Sequence, residues 1–319
     1  MNDNKMDKEK IRTWFVTGAS SGIGRELCTQ LLERGFNVVA LARRLPAFDS
    51  ANAFCFSADV TKPEELKNVF QMAKDKFGKI DVLVNSAGIS SYGTFEEEPE
   101  EEMRKIMEVN FWGTYNTCHL LLPHFRENKN GTIVNISSEM GLYPRAYGVA
   151  YCSSKYAVEG LSSSLWWESK SFCRVITVEL DKFNGTEIGK DKAKGVSGIE
   201  EYQQLDWVPH KSYNFPDNEN DLSKAVSYII DEVQKIKPVR RLMLGKTICI
   251  KTNKELAAIK KDLMRSFTRS FACANIDIKK MLKNIFKYKV LSIFSSKELK
   301  IKYKRIYNTL KYIKENLKY

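Results

Sequence analysis

Thr13 to Thr17, the apolar run TWFVT, opens directly into Gly18-Ala19-Ser20-Ser21-Gly22-Ile23-Gly24, and Leu27, Leu31 and Leu32 then recur on one helical face until Gly35. A buried strand, a glycine turn and a helix in that order leave few folds open to a chain. Glycines let backbone approach a pyrophosphate, and a helix N-terminus offers unpaired amides and a partial positive charge. The same elements without a ligand make only a tight turn, so the stretches that follow decide its meaning.

The next strand, Phe36 to Ala42, ends in Arg43 and Arg44. A site that selects NAD places a carboxylate there for the ribose 2′-hydroxyl, whereas arginine accommodates a 2′-phosphate. Two guanidiniums and no carboxylate predict a preference for NADP(H) over NAD(H), with Arg43 the nearer contact; the plainer alternative is a solvated strand end. Ala53 to Phe56 reads as a third strand. Pro63 suits the first turn of a helix running to Phe77, Gly78 stops it, and Ile80 to Val84 is a fourth strand. This alternation predicts an α/β chain with a single Rossmann-type, doubly wound parallel sheet and helices on both faces.

Further along, Pro99 to Leu122 reads as one long helix with polar Asn110 on or near its apolar side. Thr132 to Ile136 is a strand, about Tyr151 to Glu168 a helix and Arg174 to Leu180 another strand. Leu222 to Ile236 follows as a helix, Arg241 to Leu244 as a last strand, and Lys254 to Ser270 as an amphipathic helix.

Chemistry concentrates between Ser138 and Lys155. Tyr151 stands four positions before Lys155, so on a helix both project from one face about a turn apart. Ser138 follows the strand at Thr132 to Ile136. A phenol beside an ammonium is acidified, because the positive charge favours phenolate, and can then give or take a proton near neutral pH. A serine hydroxyl can stabilise the oxygen on which charge develops. The second Tyr-x-x-x-Lys of the chain, Tyr307 with Lys311, has Phe294 at the serine's offset and reads as the surface of a lysine-rich helix.

The formal charge of +12 is uneven: residues 277–319 carry thirteen Lys and Arg against three Asp and Glu, leaving a near-neutral body. Seven scattered cysteines (Cys28, Cys55, Cys118, Cys152, Cys173, Cys249 and Cys273), never spaced as Cys-x-x-Cys, argue against a disulfide framework or zinc site and for a reducing, cytoplasmic setting. His119, His124 and His210 form no ligand motif, so no metal is expected. The first ten residues are polar, unlike a secretory signal, and no run approaches the roughly 20 apolar residues that cross a bilayer.

Together these residues resemble the short-chain dehydrogenase/reductase family over roughly Arg12 to Gly245, with an ending, Arg-Arg-Leu-Met-Leu-Gly, similar to its retinol- or hydroxysteroid-dehydrogenase-like branch. Thr17-Gly18 through Gly22-Ile23-Gly24, with Ser20 and Ser21 inside it, resembles the cofactor motif; Asp59-Val60 resembles the adenine-contacting pair, and Asn85-Ser86-Ala87-Gly88 the Asn-Asn-Ala-Gly strand end. Asn110, Ser138, Tyr151 and Lys155 match the catalytic tetrad in order. The resemblance implies that Tyr151 is the acid/base, Ser138 orients the substrate oxygen, and Lys155 lowers the tyrosine pKa and holds the nicotinamide ribose. It also implies that Asn110 anchors a water linking Lys155 to solvent, and that Thr186 reaches the carboxamide.

Two departures stand out. Ser86 replaces the second asparagine, and Leu180-Asp181 replaces the Pro-Gly that covers the nicotinamide in the family, which calls ring seating and turnover into question. The implied layout is a catalytic domain over residues 1–250, with a substrate lid at about 185–221 that includes Tyr202, Trp207 and Phe215, and a helical extension over 251–319, strongly basic from 277. In that extension Ile278, Met281, Leu282, Ile285 and Phe286, and then Leu299, Tyr303, Ile306, Leu310, Ile313 and Leu317, make apolar stripes. The stripes suit packing on the body or another subunit, or a peripheral lie on an anionic membrane; no reading motif accompanies the charge, so nucleic acid is the least favoured partner. The expected activity is NADP(H)-dependent hydride transfer to or from a small-molecule carbonyl or secondary alcohol, in a homodimer or tetramer. The competing class is a catalytically weak dinucleotide sensor or scaffold acting through its tail.

Overall fold

The computed structural model describes residues 12–183, 197–204 and 220–273. Among these, β1 (Thr13–Thr17), β2 (Asn37–Ala42), β3 (Ala53–Ser57), β4 (Val82–Asn85), β5 (Thr132–Ile136), β6 (Arg174–Leu180) and β7 (Arg241–Leu244) form one sheet in the order β3-β2-β1-β4-β5-β6-β7. Every pairing is parallel. Parallel neighbours need crossovers, which place helices on the sheet faces and make the strands apolar on both sides.

The pleat divides the core in two. Trp14 and Val16, Val38 and Ala40, Val82 and Val84, and Val134 and Ile136 face α1 (Gly22–Glu33) and α7 (Leu222–Val233), meeting Leu27, Leu31, Val226, Ile229 and Val233. The intervening residues Phe15, Val39, Leu41, Leu83, Ile133 and Val175 meet Leu66 and Val69 of α2 (Pro63–Phe77) and Leu121 and Phe125 of α4 (Gly113–Glu127). This period of two is what a doubly covered strand requires.

The order reverses between β1 and β4, and the turns after β1, β2, β4, β5 and β6 all leave from the carboxyl edge. In sheets of this kind the crevice at that edge, where the order reverses, is where ligands bind.

The predicted strands, and the helices expected up to Gly35, at Pro63 to Phe77 and at about Tyr151 to Glu168, appear at or within two residues of their expected bounds; the helix expected at Leu222 to Ile236 ends three residues early at Val233, and the long helix at Pro99 to Leu122 departs further. It divides into α3 (Glu100–Met107), a π turn at Glu108–Trp112 and α4, which continues through Pro123 to Glu127. The widened turn closes on Val60: a Cβ on Gly113 would lie 2.5 Å from Val60 Cγ2, so glycine is needed there. A short 3-10 turn, Glu139–Gly141, precedes α5 (Val149–Ser169), and a four-residue α6 (Glu200–Gln203) follows β6. The last described helix, α8 (Ile248–Cys273), starts six residues before its expected position. Its first turn is held by Asp181, whose Oδ2 accepts from Thr247 N (2.9 Å) and Thr247 Oγ1 (2.7 Å).

The chain divides into two compact units, Met1–Thr252 and Asn253–Tyr319. Thr186, Trp207, Phe215 and the basic stretch 277–319 lie outside the described residues. Among those described, no helix is long and apolar enough to cross a membrane, and no cluster of His, Cys, Asp and Glu could hold a metal ion.

Candidate active site

The glycine turn is built against the end of β4. Gly18 sits at φ +70°, and a Cβ there would lie 2.8 Å from both Ala87 N and Ser86 O. Thr17 ties the two strands: its Oγ1 accepts from Ser86 N and Ala87 N, each at 3.1 Å, and donates to Val84 O at 3.4 Å. Gly24 lets α1 start against this turn, since its Cβ would fall 2.4 Å from Gly18 O. Ser21, at the N-cap of α1, makes no side-chain cap bond, so Gly22, Ile23 and Gly24 present first-turn amides over a dense backbone floor. That cradle fits a pyrophosphate.

Arg43 and Arg44 are both exposed at the end of β2. Arg44 Nη2 donates to Ser20 O at 3.3 Å, joining the basic strand end to the glycine turn, and Ser57 Oγ donates to Arg43 O at 2.8 Å. Asp59 Oδ1 accepts from Thr61 N at 2.9 Å, which shapes the turn after β3, and Asn116 Nδ2 donates to Val60 O at 3.0 Å.

Asn110 and Lys155 gather around Gly88 and Ile89. Asn110, in the π turn and 1% exposed, accepts from Ile89 N (2.8 Å) through Oδ1 and donates through Nδ2 to Ile89 O (2.9 Å) and Ser154 Oγ (2.9 Å). Ser154 Oγ in turn donates to Tyr151 O at 2.8 Å. A Cβ on Gly88 would lie 3.3 Å from Asn110 Oδ1 and 3.8 Å from Lys155 Nζ, so asparagine and lysine close on the same spot. Lys155 is buried, donates to Ile136 O at 2.9 Å and lies 5.6 Å from the centre of the Tyr151 ring. Burial pulls its ammonium down from 10.5 to about 8, against the opposing pull of the Glu159 carboxylate.

Ser138 closes β5 and caps the 3-10 turn, its Oγ accepting from Met140 N at 3.2 Å. The turn thereby brings Met140 into an apolar cluster with Tyr92, Tyr151 and Cys152. Tyr92 meets Tyr151 at 6.5 Å between ring centres.

Two expected residues behave differently from the rest. Asn85 turns inward: Nδ2 donates to Asn135 Oδ1 (2.9 Å) and Oδ1 accepts from Thr117 Oγ1 (2.6 Å), which leaves its backbone to face the crevice. Asp181 is committed to Thr247 and to Lys251 Nζ, 3.4 Å away. Burial raises its carboxyl, but the Thr247 hydrogen bonds and Lys251 outweigh that and hold it below its ordinary value. Residues 197–204, the described part of the expected lid, rest on the loop after β4, with Tyr202 Oη donating to Glu96 Oε1 (2.5 Å) and Gly198 N to Glu97 Oε1 (2.9 Å), and on the segment before α5, where Tyr147 Oη donates to Tyr202 O (2.7 Å).

Ser154 and Ile89 were not among the candidates. Ser154 stands three residues after Tyr151 on the helix, a spacing that could have marked it; Ile89 enters through its backbone, which leaves no mark in sequence.

Comparison with known proteins gives a family and a fold. A family model described as short chain dehydrogenase matches residues 12–196. An uncharacterized oxidoreductase of Schizosaccharomyces pombe is 31% identical over 243 residues, covering 75% of this chain and 83% of its own length. The 3-ketodihydrosphingosine reductase of Bacteroides thetaiotaomicron is 35% identical over 171 residues, 53% of this chain and 63% of that protein. The crystal structure of a short-chain dehydrogenase from Streptomyces avermitilis superposes with a TM-score of 0.74 at 31% identity, covering 83% of this chain and 98% of that one.

Proposed function

This chain belongs to the short-chain dehydrogenase family, and from that membership we propose that it is an NADP(H)-dependent oxidoreductase that interconverts a carbonyl and a secondary alcohol with Tyr151 as acid/base. The observation that supports this best is the burial of Lys155 one helical turn from Tyr151, its ammonium fixed on Ile136 O.

A dinucleotide bound here would supply or accept the hydride. The glycine turn and the first-turn amides of α1 would hold its pyrophosphate, and Arg43 and Arg44 its 2′-phosphate. Tyr151 gives its proton to the substrate oxygen in reduction and takes one in oxidation. A nearby ammonium favours phenolate, so Lys155 eases both directions. The Ser138 hydroxyl hydrogen-bonds the same oxygen as charge grows on it. Asn110 fixes Gly88-Ile89 and, through Ser154, the helix that carries Tyr151.

Tyr92, Met140 and Cys152 give the site an apolar wall that suits an apolar ketone, in keeping with the ketone named for the Bacteroides relative. Exposed Trp112 and Tyr115, on the π turn and α4, and Trp167 on α5 support pairing into a dimer or tetramer through these helices. Peripheral membrane contact through 277–319 is tested by liposome pelleting with and without those residues.

Purified full-length protein is mixed with NADPH or NADH and a panel of ketones and aldehydes, and cofactor oxidation is followed. The expected result is turnover with NADPH that Tyr151→Phe abolishes while cofactor binding persists. Cofactor binding without turnover on any substrate overturns the proposal in favour of a sensor. The sensor reading drew on the acidic turn at Asp181, and that carboxylate is engaged by Thr247 and Lys251.

A further inference from the structure

Below Lys155 lies a set of buried charges that the proposed chemistry leaves unused. Glu159, one turn further along α5, is 5% exposed, and Glu179 of β6 is fully buried. Arg241 of β7 binds both through Nη1, Glu179 Oε1 at 2.7 Å and Glu159 Oε2 more closely. Lys155, Glu159, Arg241 and Glu179 therefore alternate in sign along one path, and with all four ionised their charges cancel. Buried charges are tolerated only when compensated, and Glu159 stands between two cations, bound to Arg241 and opposing the loss of charge on Lys155. Lys155 is the cation that completes the set.

The packing joins these groups tightly. A Cβ on Gly141 would meet Ser137 Oγ at 2.8 Å, Glu159 Cγ at 3.2 Å and Lys155 Cβ at 3.3 Å, so the strand end, the carboxylate stem and the lysine stem share one contact point. Glu159 Oε1, Glu179 Oε2 and Ser137 Oγ are buried without a hydrogen-bond partner among the described residues. Glu159 thus gives Arg241 one oxygen and keeps the other uncommitted within the set.

We infer that Glu159 is a positioning residue for the acid/base step: clamped by Arg241, it supplies the counter-charge that keeps Lys155 an ammonium beside Tyr151. This rests on the assignment of Tyr151 and Lys155 proposed above. Other ionisable groups around Lys155 are already paired. Glu139 on the 3-10 turn binds Arg145 and Lys251, and Asp181 after β6 binds Lys251 and Thr247. Tyr151 is the group on which Lys155 acts, and Asn110 is neutral. Burial, with the nearby Glu159 carboxylate adding to it, pushes the Glu179 carboxyl up to about 8.

The test follows Lys155 directly by NMR of its 13C-labelled ε-carbon in the full chain, with the signal assigned by its loss in Lys155→Arg. In Glu159→Gln the carboxylate one helical turn from Lys155, which opposes the loss of its charge, is gone, and Glu179 stays with Arg241. The Lys155 titration midpoint is expected to fall by about one pH unit, and Glu159→Asp to restore most of the difference. With a turned-over ketone, the alkaline limb of the reduction pH profile moves down by the same amount. A folded Glu159→Gln protein with an unchanged Lys155 midpoint overturns the inference, and should that variant not fold, an unchanged midpoint in Glu159→Asp does so. If the midpoint moves while wild-type protein turns over nothing, the electrostatic role of Glu159 stands and the enzymatic proposal falls.

Discussion

Asn110 holds Ile89 by both ends of its peptide, taking the N–H at 2.8 Å and giving a hydrogen bond to the C=O at 2.9 Å. The remaining amide hydrogen goes to Ser154 on α5. One side chain in the π turn therefore fixes the strand end after β4 against the helix that carries Tyr151 and Lys155. Helices widened by a residue recur at functional sites, and here the widening places Asn110 between the two elements.

Asn110→Ala strands the half-buried N–H and C=O of Ile89 and one bond of buried Ser154. Leaving buried polar groups unpaired costs about 1–3 kcal/mol each before relaxation. The urea midpoint is expected to fall by the equivalent of about 2–3 kcal/mol, with turnover reduced as well because Tyr151 loses its register. A variant of unchanged midpoint would show that Ile89 does not depend on this clamp.

Cofactor choice turns on the end of β2. Arg44 already lies on the glycine turn through Ser20 O, and Arg43 is exposed beside it. A charge-assisted hydrogen bond to phosphate contributes about 1.5–3 kcal/mol, so Arg43→Ala/Arg44→Ala should raise the NADPH KM at least about tenfold while the NADH KM changes little. Equal effects on the two cofactors would refute a 2′-phosphate site here.

Stability should pass through a dip near pH 8. Burial, with Glu159 adding to it, lifts Glu179 from 4.5 to about 8 despite Arg241, so the folded chain keeps a proton that the unfolded chain has released. That contribution is full below about 4.5 and is lost as pH rises through about 8. Lys155 acts in the opposite sense: burial lowers it from 10.5 to about 8, so stability returns as pH rises from there toward 10.5. Comparing Tm across pH for wild type and Glu179→Gln should show the falling limb flattened in the variant. Parallel curves would exclude Glu179 as its source.

Local pattern made much of this fold legible. TWFVT, Gly35, Pro63 and Gly78 mark strand, stop, start and stop because their side chains or φ angles decide those conformations nearly alone. Asn110 was recognisable as a polar residue near an apolar face, but the π turn around it was not. That turn depends on Gly113 yielding to Val60 across more than fifty residues, a contact no helical periodicity encodes. The early start of α8 was hidden for the same reason, since its first turn is held by Asp181 from β6. Glu159 and Glu179 looked like separate residues until the sheet order brought Arg241 between them.

Asp181 marks the sharpest departure from the family pattern, and its surroundings explain how the fold accommodates it. Gly245, at φ +133°, would place a Cβ only 2.2 Å from Asp181 Cβ, so glycine makes room for the aspartate. The carboxylate then serves Thr247 and Lys251 at the start of α8. Asp181→Gly, which restores the family's residue type, removes two hydrogen bonds and an ion pair, and is expected to cost about 2–3 kcal/mol. Because these partners hold the Asp181 carboxyl below its ordinary value despite burial, the stability it gives is present above that value and is lost as acid titrates it in the folded state. The gap between wild-type and variant Tm should therefore narrow as pH is lowered through the acidic range, with cofactor binding unchanged at neutral pH. A gap that stays constant into acid would mean that Asp181 contributes through packing against Gly245 and not through its charge.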